Sequence, residues 1–357
     1  MIKRKVSPFP GRLQLVPLAW LLAFALLLGA AGCAVTSKPR PGPVLDKMVW
    51  PPPPMEARIT WVQSIATPGD AGIRKGFWGK LLGAVFGEEV LRIKRPYGIH
   101  VDRKERIFIA DTGGRVIHLI DRSSGRYQLV RGPEGGGFLS PIGVTEDARE
   151  MVYVTDSAAA KVYRFSPDDL KVEPFISGGL QRPTGIVYSP VTDLLYVSDT
   201  VAGQIVAFTT AGQESFRFGA AGEAAGQFNR PTDLAVDPKG RLLVTDALNG
   251  RVQIFSGRGA YLKGFGETGN TSGNFAKPKG IAVDSEGQLH ICDALFDTVQ
   301  IFDEDGRFLL SYANRGGGKG ELWMPSGLFI RGDMIYVADT YNNRIQIFQY
   351  LPEIVGH

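Results

Sequence analysis

One motif recurs six times in this 357-residue chain and leaves few folds open to it. In the clearest copy, Pro325-Ser-Gly-Leu is followed by Met334-Ile-Tyr-Val-Ala-Asp339-Thr-Tyr-Asn-Asn-Arg344-Ile-Gln-Ile-Phe348. The same frame begins at Pro96, Pro141, Pro183, Pro231 and Pro278. Its Asp falls at Asp111, Asp156, Asp199, Asp246, Asp293 and Asp339, with spacings of 45, 43, 47, 47 and 46 residues. A period in the forties with several short strands per unit predicts a β-propeller with one blade per repeat. The expected class is therefore all-β: a six-bladed propeller of four-stranded blades.

Each repeat reads as four strands. The first follows the Pro, as in Gly280-Ile-Ala-Val-Asp284, and ends in a tight turn such as Asp237-Pro-Lys-Gly240. The second is apolar on both faces, as in Leu194-Leu-Tyr-Val and Met334-Ile-Tyr-Val-Ala. Continuous apolar character predicts a strand covered on both sides by neighbouring blades. Val252-Gln-Ile-Phe255 typifies the third strand and Ala260-Tyr-Leu-Lys-Gly264 the fourth. The sixth repeat stops soon after Phe348 without a fourth strand, whereas Arg58 to Ile65 reads as a strand ahead of the first repeat. Pairing the two would close the ring and cover an open sheet edge.

The N-terminus stands apart. Lys3, Arg4, Lys5 and Arg12 precede an apolar run from Leu18 to Leu28, then Gly29, Ala30, Ala31, Gly32 and Cys33. This is the three-part pattern of a secretion signal over residues 1–32. Its Ala-Ala-Gly-Cys ending resembles a bacterial lipoprotein signal, with Ala30 where Leu is commoner. The resemblance implies a lipid on Cys33 and anchorage to a membrane. Leu13–Gly32 is also nearly long enough to be an uncleaved anchor, and simple cleavage is a third reading. All three place the repeats outside the cytoplasm. In a Gram-negative cell, Ala34 after the lipidated Cys implies the periplasmic face of the outer membrane.

Residues 33–57 read as a tether, with Pro39, Pro41, Pro43 and Pro51 to Pro54 favouring an extended spacer. The propeller is expected over 58–351, with a short tail at 352–357. A helical insertion is expected at about 72–90, where Phe77, Trp78, Leu81, Leu82, Val85 and Phe86 recur at helical spacing beside Arg74, Lys75 and Lys80. Gly76, Gly79 and Gly83 make such a helix marginal alone. It reads either as a helix packed on the propeller or as a membrane- or partner-contacting helix through Phe77, Trp78, Leu81 and Leu82.

Composition narrows function. The chain has 40 Lys and Arg against 36 Asp and Glu. The signal holds four of the basic residues and no acidic one, so removing it leaves 36 of each. The basic pI belongs to the signal, and the footprint of a nucleic-acid-binding surface is missing. Only Cys33 and Cys292 occur. Cys292 occupies a slot filled by Ala110, Thr155, Ser198, Thr245 and Ala338, so it reads as a buried small residue without a disulfide partner.

The six copies resemble NHL repeats, whose pattern runs Pro-x-Gly-Ile-x-Val-Asp, then Tyr-Val-x-Asp-x-x-Asn-x-Arg-Ile/Val-Gln-Phe. Repeats four to six match best. Repeat four carries Asp233 in place of the Gly after Pro, and the Asn is absent after Asp111, Asp156, Asp199 and Asp293. The resemblance implies the propeller fold and a wide range of roles: nucleic-acid or protein binding, sensing, and a lyase whose metal is held partly by histidines. Here the histidines are His100, His118, His290 and His357, and they fall on different strands, which argues against one shared ion. No cofactor is expected, although carboxylate-bound Ca²⁺ in the channel stays open.

Two basic sets recur at equivalent positions and so lie on circles. Before the repeat Pro stand Arg95, Arg182, Arg230 and Lys277; opening the third strand stand Arg115, Lys161, Arg251 and Arg344. Arg344 reads as a partner of its repeat Asp. The first set is the better candidate for capturing an anionic ligand or partner. The sequence therefore reads as a lipid-anchored propeller that binds an envelope protein or ligand as a scaffold. The alternative is a metal-dependent lyase or lactone-type hydrolase using the central channel.

Overall fold

The computed structural model describes residues 48–73 and 91–352. Cys33, His357 and all but the first two residues of the helical insertion expected at about 72–90 lie outside them. The repeats form six antiparallel sheets in ring order. Blade 1 comprises Pro96–Val101, Ile107–Asp111, Val116–Asp121 and Arg126–Val130. Blades 2 to 5 repeat this order, and blade 6 contributes Leu328–Arg331, Met334–Asp339 and Arg344–Tyr350. Its fourth strand is Ile59–Ile65, antiparallel to Arg344–Tyr350 with Ile59 opposite Tyr350 and Ile65 opposite Ile345. The ring thus closes through the N-terminal strand, as the unfinished sixth repeat predicts.

The sheet does not stop there. Val49–Trp50 pairs with Ile59 and Thr60 as a fifth strand. The Trp50 ring lies 5.7 Å from Phe348 and 6.4 Å from Tyr312. The tether expected up to residue 57 is therefore folded onto blade 6 from residue 48. The run of prolines hid this strand, because Trp50 and Val49 are its only strongly strand-forming members.

The second strands carry the core. Ile107–Asp111, Val152–Asp156, Leu242–Asp246 and Leu289–Asp293 are buried along their whole length. Six apolar clusters lie between neighbouring blades, not within them. Ile117 and Leu119 of blade 1 meet Val152 and Phe165 of blade 2. Ile345 and Ile347 of blade 6 meet Ile107 and Ile109 of blade 1. Each blade buries its two faces on two partners, so no blade is complete without both.

In blades 1 to 5 the first strand is irregular between its Pro and the third residue beyond it. This bulge leaves the two intervening residues outside the regular ladder. In blades 1, 2, 3, 5 and 6 a Gly two residues past the Pro lies against the next blade. A Cβ on Gly98, Gly143, Gly185, Gly280 or Gly327 would lie under 3.0 Å from the carbonyl oxygen of the neighbouring blade. Only Gly tolerates that approach.

Candidate functional site at the channel mouth

The repeat Asp organises one face of the ring. Each of the six is 0–1% exposed. Asp111 accepts from the N–H groups of Lys94 (2.7 Å) and Arg95 (2.9 Å), and Asp199 from those of Gln181 (2.7 Å) and Arg182 (2.9 Å). Asp156 and Asp293 bind the equivalent amides of Leu139, Ser140, Ala276 and Lys277. In blades 4 and 6 the third-strand arginine joins in: Arg251 Nε donates to Asp246 (2.9 Å) and Arg344 Nε to Asp339 (2.7 Å). These carboxylates tie each inter-blade crossing to its own second strand. Burial pushes the Asp111 carboxyl up, but the His118 hydrogen bond and the amides of Lys94, Gly114 and Arg95 outweigh it, holding it at about 2.

Because their backbones are pinned in this way, the residues before each Pro ring the channel entrance. Arg95, Arg182 and Arg230 are exposed and Lys277 half-buried. The Arg95 guanidinium lies 5.6 Å over the Tyr341 ring. Arg182 is close enough to Tyr97 for its charge to act on the phenol, and Lys277 acts in the same way on Lys279. Sequence reasoning named this basic set, and the fold gathers Arg182 and Lys277 toward two residues it did not name.

Those two, Tyr97 and Lys279, follow the Pro in blades 1 and 5. The Lys279 ammonium sits 5.4 Å over the Tyr97 ring. Tyr97 also feels Asp233 of blade 4. A side chain of blade 1 thus meets one of blade 5 and lies within electrostatic range of groups in blades 3 and 4. Burial, and next the Lys277 charge, lower Lys279 to about 8. A signal was available in the series after each Pro: Thr184, Thr232 and Ser326 are small and hydroxylated, whereas Tyr97, Ile142 and Lys279 are not.

Below the mouth the glycines form the constriction, and Asp233 replaces the sixth. Its Oδ2 accepts from the Ile281 amide at 3.3 Å. Burial pushes its carboxyl up to about 7, against the opposing pull of the Leu234 and Ile281 amides. The channel beyond holds a cavity of about 150 Å³. Its wall is mostly aliphatic, including Ile99, Val144, Ile186 and Leu328, with Asp233 and His100 as its titratable groups.

Hydroxyls stitch the wall together. Thr155, Ser198 and Thr245 receive the amides of Gly143 (2.8 Å), Gly185 (2.8 Å) and Asp233 (2.9 Å). The same hydroxyls reach the next blade at Thr184 O (2.5 Å), Thr232 O (3.1 Å) and Lys279 O (2.7 Å). Cys292 occupies this slot in blade 5, fully buried. Burial first, then Asp233 and Asp293, push its thiol up, away from thiolate chemistry.

The histidines take separate partners. His118 meets Asp111 (2.9 Å) and the Tyr127 hydroxyl (2.7 Å). His290, fully buried, meets Asp284 (3.0 Å), and His100 meets Glu146 (3.3 Å). Among the described residues no group of three or more His, Cys, Asp or Glu is arranged to hold a metal ion.

The NHL repeat family model matches residues 228–255 and 322–348, the fourth and sixth copies. The described chain is a six-bladed β-propeller that carries NHL repeats. Solved structures share this propeller fold with little sequence in common. Virginiamycin B lyase from Staphylococcus aureus is similar at 15% identity and a TM-score of 0.56, covering 72% of this chain and 96% of its own. An auxiliary nutrient binding protein from Bacteroides thetaiotaomicron is similar at 13% identity and a TM-score of 0.59, over 72% of this chain and 69% of its own length. A chain of the nidogen/laminin complex is similar at 17% identity and a TM-score of 0.52, covering 70% and 87%. At these identities the likeness speaks for fold alone.

Proposed function

We propose that this NHL propeller is a binding scaffold of the cell envelope, held to a membrane by lipid on Cys33 and presenting its mouth face to a protein partner. The observation that carries this reading is the crossing of the entrance by Tyr97 and Lys279 above a constriction of backbone. The cavity below is about 150 Å³, against the roughly 300–1,000 Å³ of a small-molecule site. A channel that narrow leaves the outer face as the working surface. The supporting chemistry there is the basic set Arg95, Arg182, Arg230 and Lys277.

One observation favours a second reading. Asp233 and Lys279 are brought by burial to about 7 and about 8, and such shifts accompany acid–base chemistry. This supports a lyase or lactone-type hydrolase using the central channel. Capture of partners from native envelope by the full-length lipidated protein, together with metal analysis, separates the two. A stoichiometric protein partner without metal is expected. Tightly bound Ca²⁺ or Zn²⁺ and turnover of lactones, with no partner, would replace the scaffold by the enzyme.

A further inference from the structure

We infer that the mouth face docks an acidic polypeptide segment with apolar flanks. The inference rests on the binding reading above and gives its partner a chemical class.

The repeat places a second feature on the same face. The residue two past each repeat Asp sits in the turn between second and third strands. That turn lies farther from the axis than the residues preceding the first strand. In blades 3 to 6 it holds Val201, Leu248, Leu295 and Tyr341. Two residues before the Pro, blades 2 and 6 add Leu139 and Trp323. All six are between 42% and 54% exposed. Trp323 and Tyr341 stack at 5.6 Å, with Arg95 over Tyr341. Isolated exposed apolar residues are ordinary, but a circle of them on one face marks an interaction surface. Trp, Tyr and Arg together are the residues that dominate interface energies.

Inside this circle lies positive charge. Arg95, Arg182, Arg230 and Lys277 make no ion pair among the described residues. The repeat Asp carboxylates beneath them are occupied by backbone amides. Lys279, half-buried, adds a fifth cation recessed into the mouth. An apolar rim around cations that make no ion pair among the described residues matches a narrow chain with a carboxylate in the middle and apolar side chains on either side. A bilayer fits less well, because its headgroups form a sheet and would have to sink past the apolar rim to reach the centre.

Selection of a random-peptide display library on the detergent-solubilised full-length protein tests this. Selected peptides are expected to be rich in Asp and Glu next to Leu, Phe or Trp. Arg182→Glu with Lys277→Glu should weaken them by roughly tenfold or more, chiefly by slowing association and flattening the salt dependence. Leu248→Ser with Leu295→Ser should act instead by speeding dissociation. Arg182, Leu248 and Leu295 are exposed and Lys277 is half-buried, and unchanged circular dichroism and melting would show that the variants fold. Peptides without acidic or apolar bias, or peptides indifferent to both pairs of changes, would overturn the inference. So would binding to phosphatidylglycerol vesicles with no peptide selected. If the envelope capture still succeeds with these variants, the scaffold reading stands and this assignment of its face fails.

Discussion

Asp233 is the residue at which the repeat gives way to something particular to this chain. Its carboxyl titrates near 7 in the fold, against about 3.9 in an unfolded chain. The folded state therefore binds the proton more tightly. Stability contributed by the neutral acid is complete below about pH 4 and is lost as pH rises toward 7, by on the order of 4 kcal/mol at most. Asp233→Asn should therefore be more stable than the parent at pH 8, with the gain shrinking steadily as pH falls from 7 to 4. Urea midpoints at several pH values would show this, and a gap independent of pH would refute it. Next to it, Thr245 holds the Asp233 amide and the Lys279 carbonyl. Thr245→Val leaves both groups without that partner and should cost about 1–3 kcal/mol, while Thr245→Ser should be close to neutral in the same titration. The sequence displayed Asp233 as a departure from Gly but gave no physical meaning to it, because the constriction it enters is created by contacts between repeats.

At the level of the blade, what matters is how closely each first strand approaches its neighbour. A Cβ on Gly327 would collide with the Tyr97 carbonyl of blade 1, whereas one on Gly178 would meet nothing within 4 Å. Gly327→Ala should lower stability by about 1–3 kcal/mol or more, and Gly178→Ala should stay within about 0.5 kcal/mol. Equal melting temperatures for the two would contradict the constriction. Blade strands and the closing strand were legible in the chain, since apolar runs, Asp-Gly turns and an unfinished last repeat are local signals. The small Val49–Trp50 strand was not, because its warrant is tertiary: the ring of Trp50 against Phe348 and Tyr312. The conversion of Arg344 and Arg251 into partners of their repeat Asp followed the sequence pattern, while in blade 1 the Asp is met by His118, from the position that Gln253 and Gln346 hold in blades 4 and 6.

The described repeats close into a ring of six blades whose copies differ at the mouth in the residues flanking each Pro. Period and motif sufficed to read its six blades, because every repeat repeats the same signals. The basic set at the entrance was legible for the same reason. The apolar circle and the crossing of the mouth by Tyr97 and Lys279 were not, because they are sums over single positions in different blades that only the closed ring brings together. The central claim is that the outer face binds and the channel does not react. The measurement that tests it most directly is the affinity of full-length protein for its captured envelope partner, compared among the parent, Arg182→Glu with Lys277→Glu, and Asp233→Asn. The face variant is expected to lose the partner by roughly tenfold or more, and the channel variant to keep it. Retained binding in the face variant, with Asp233→Asn abolishing turnover of a lactone or lyase substrate, would contradict it.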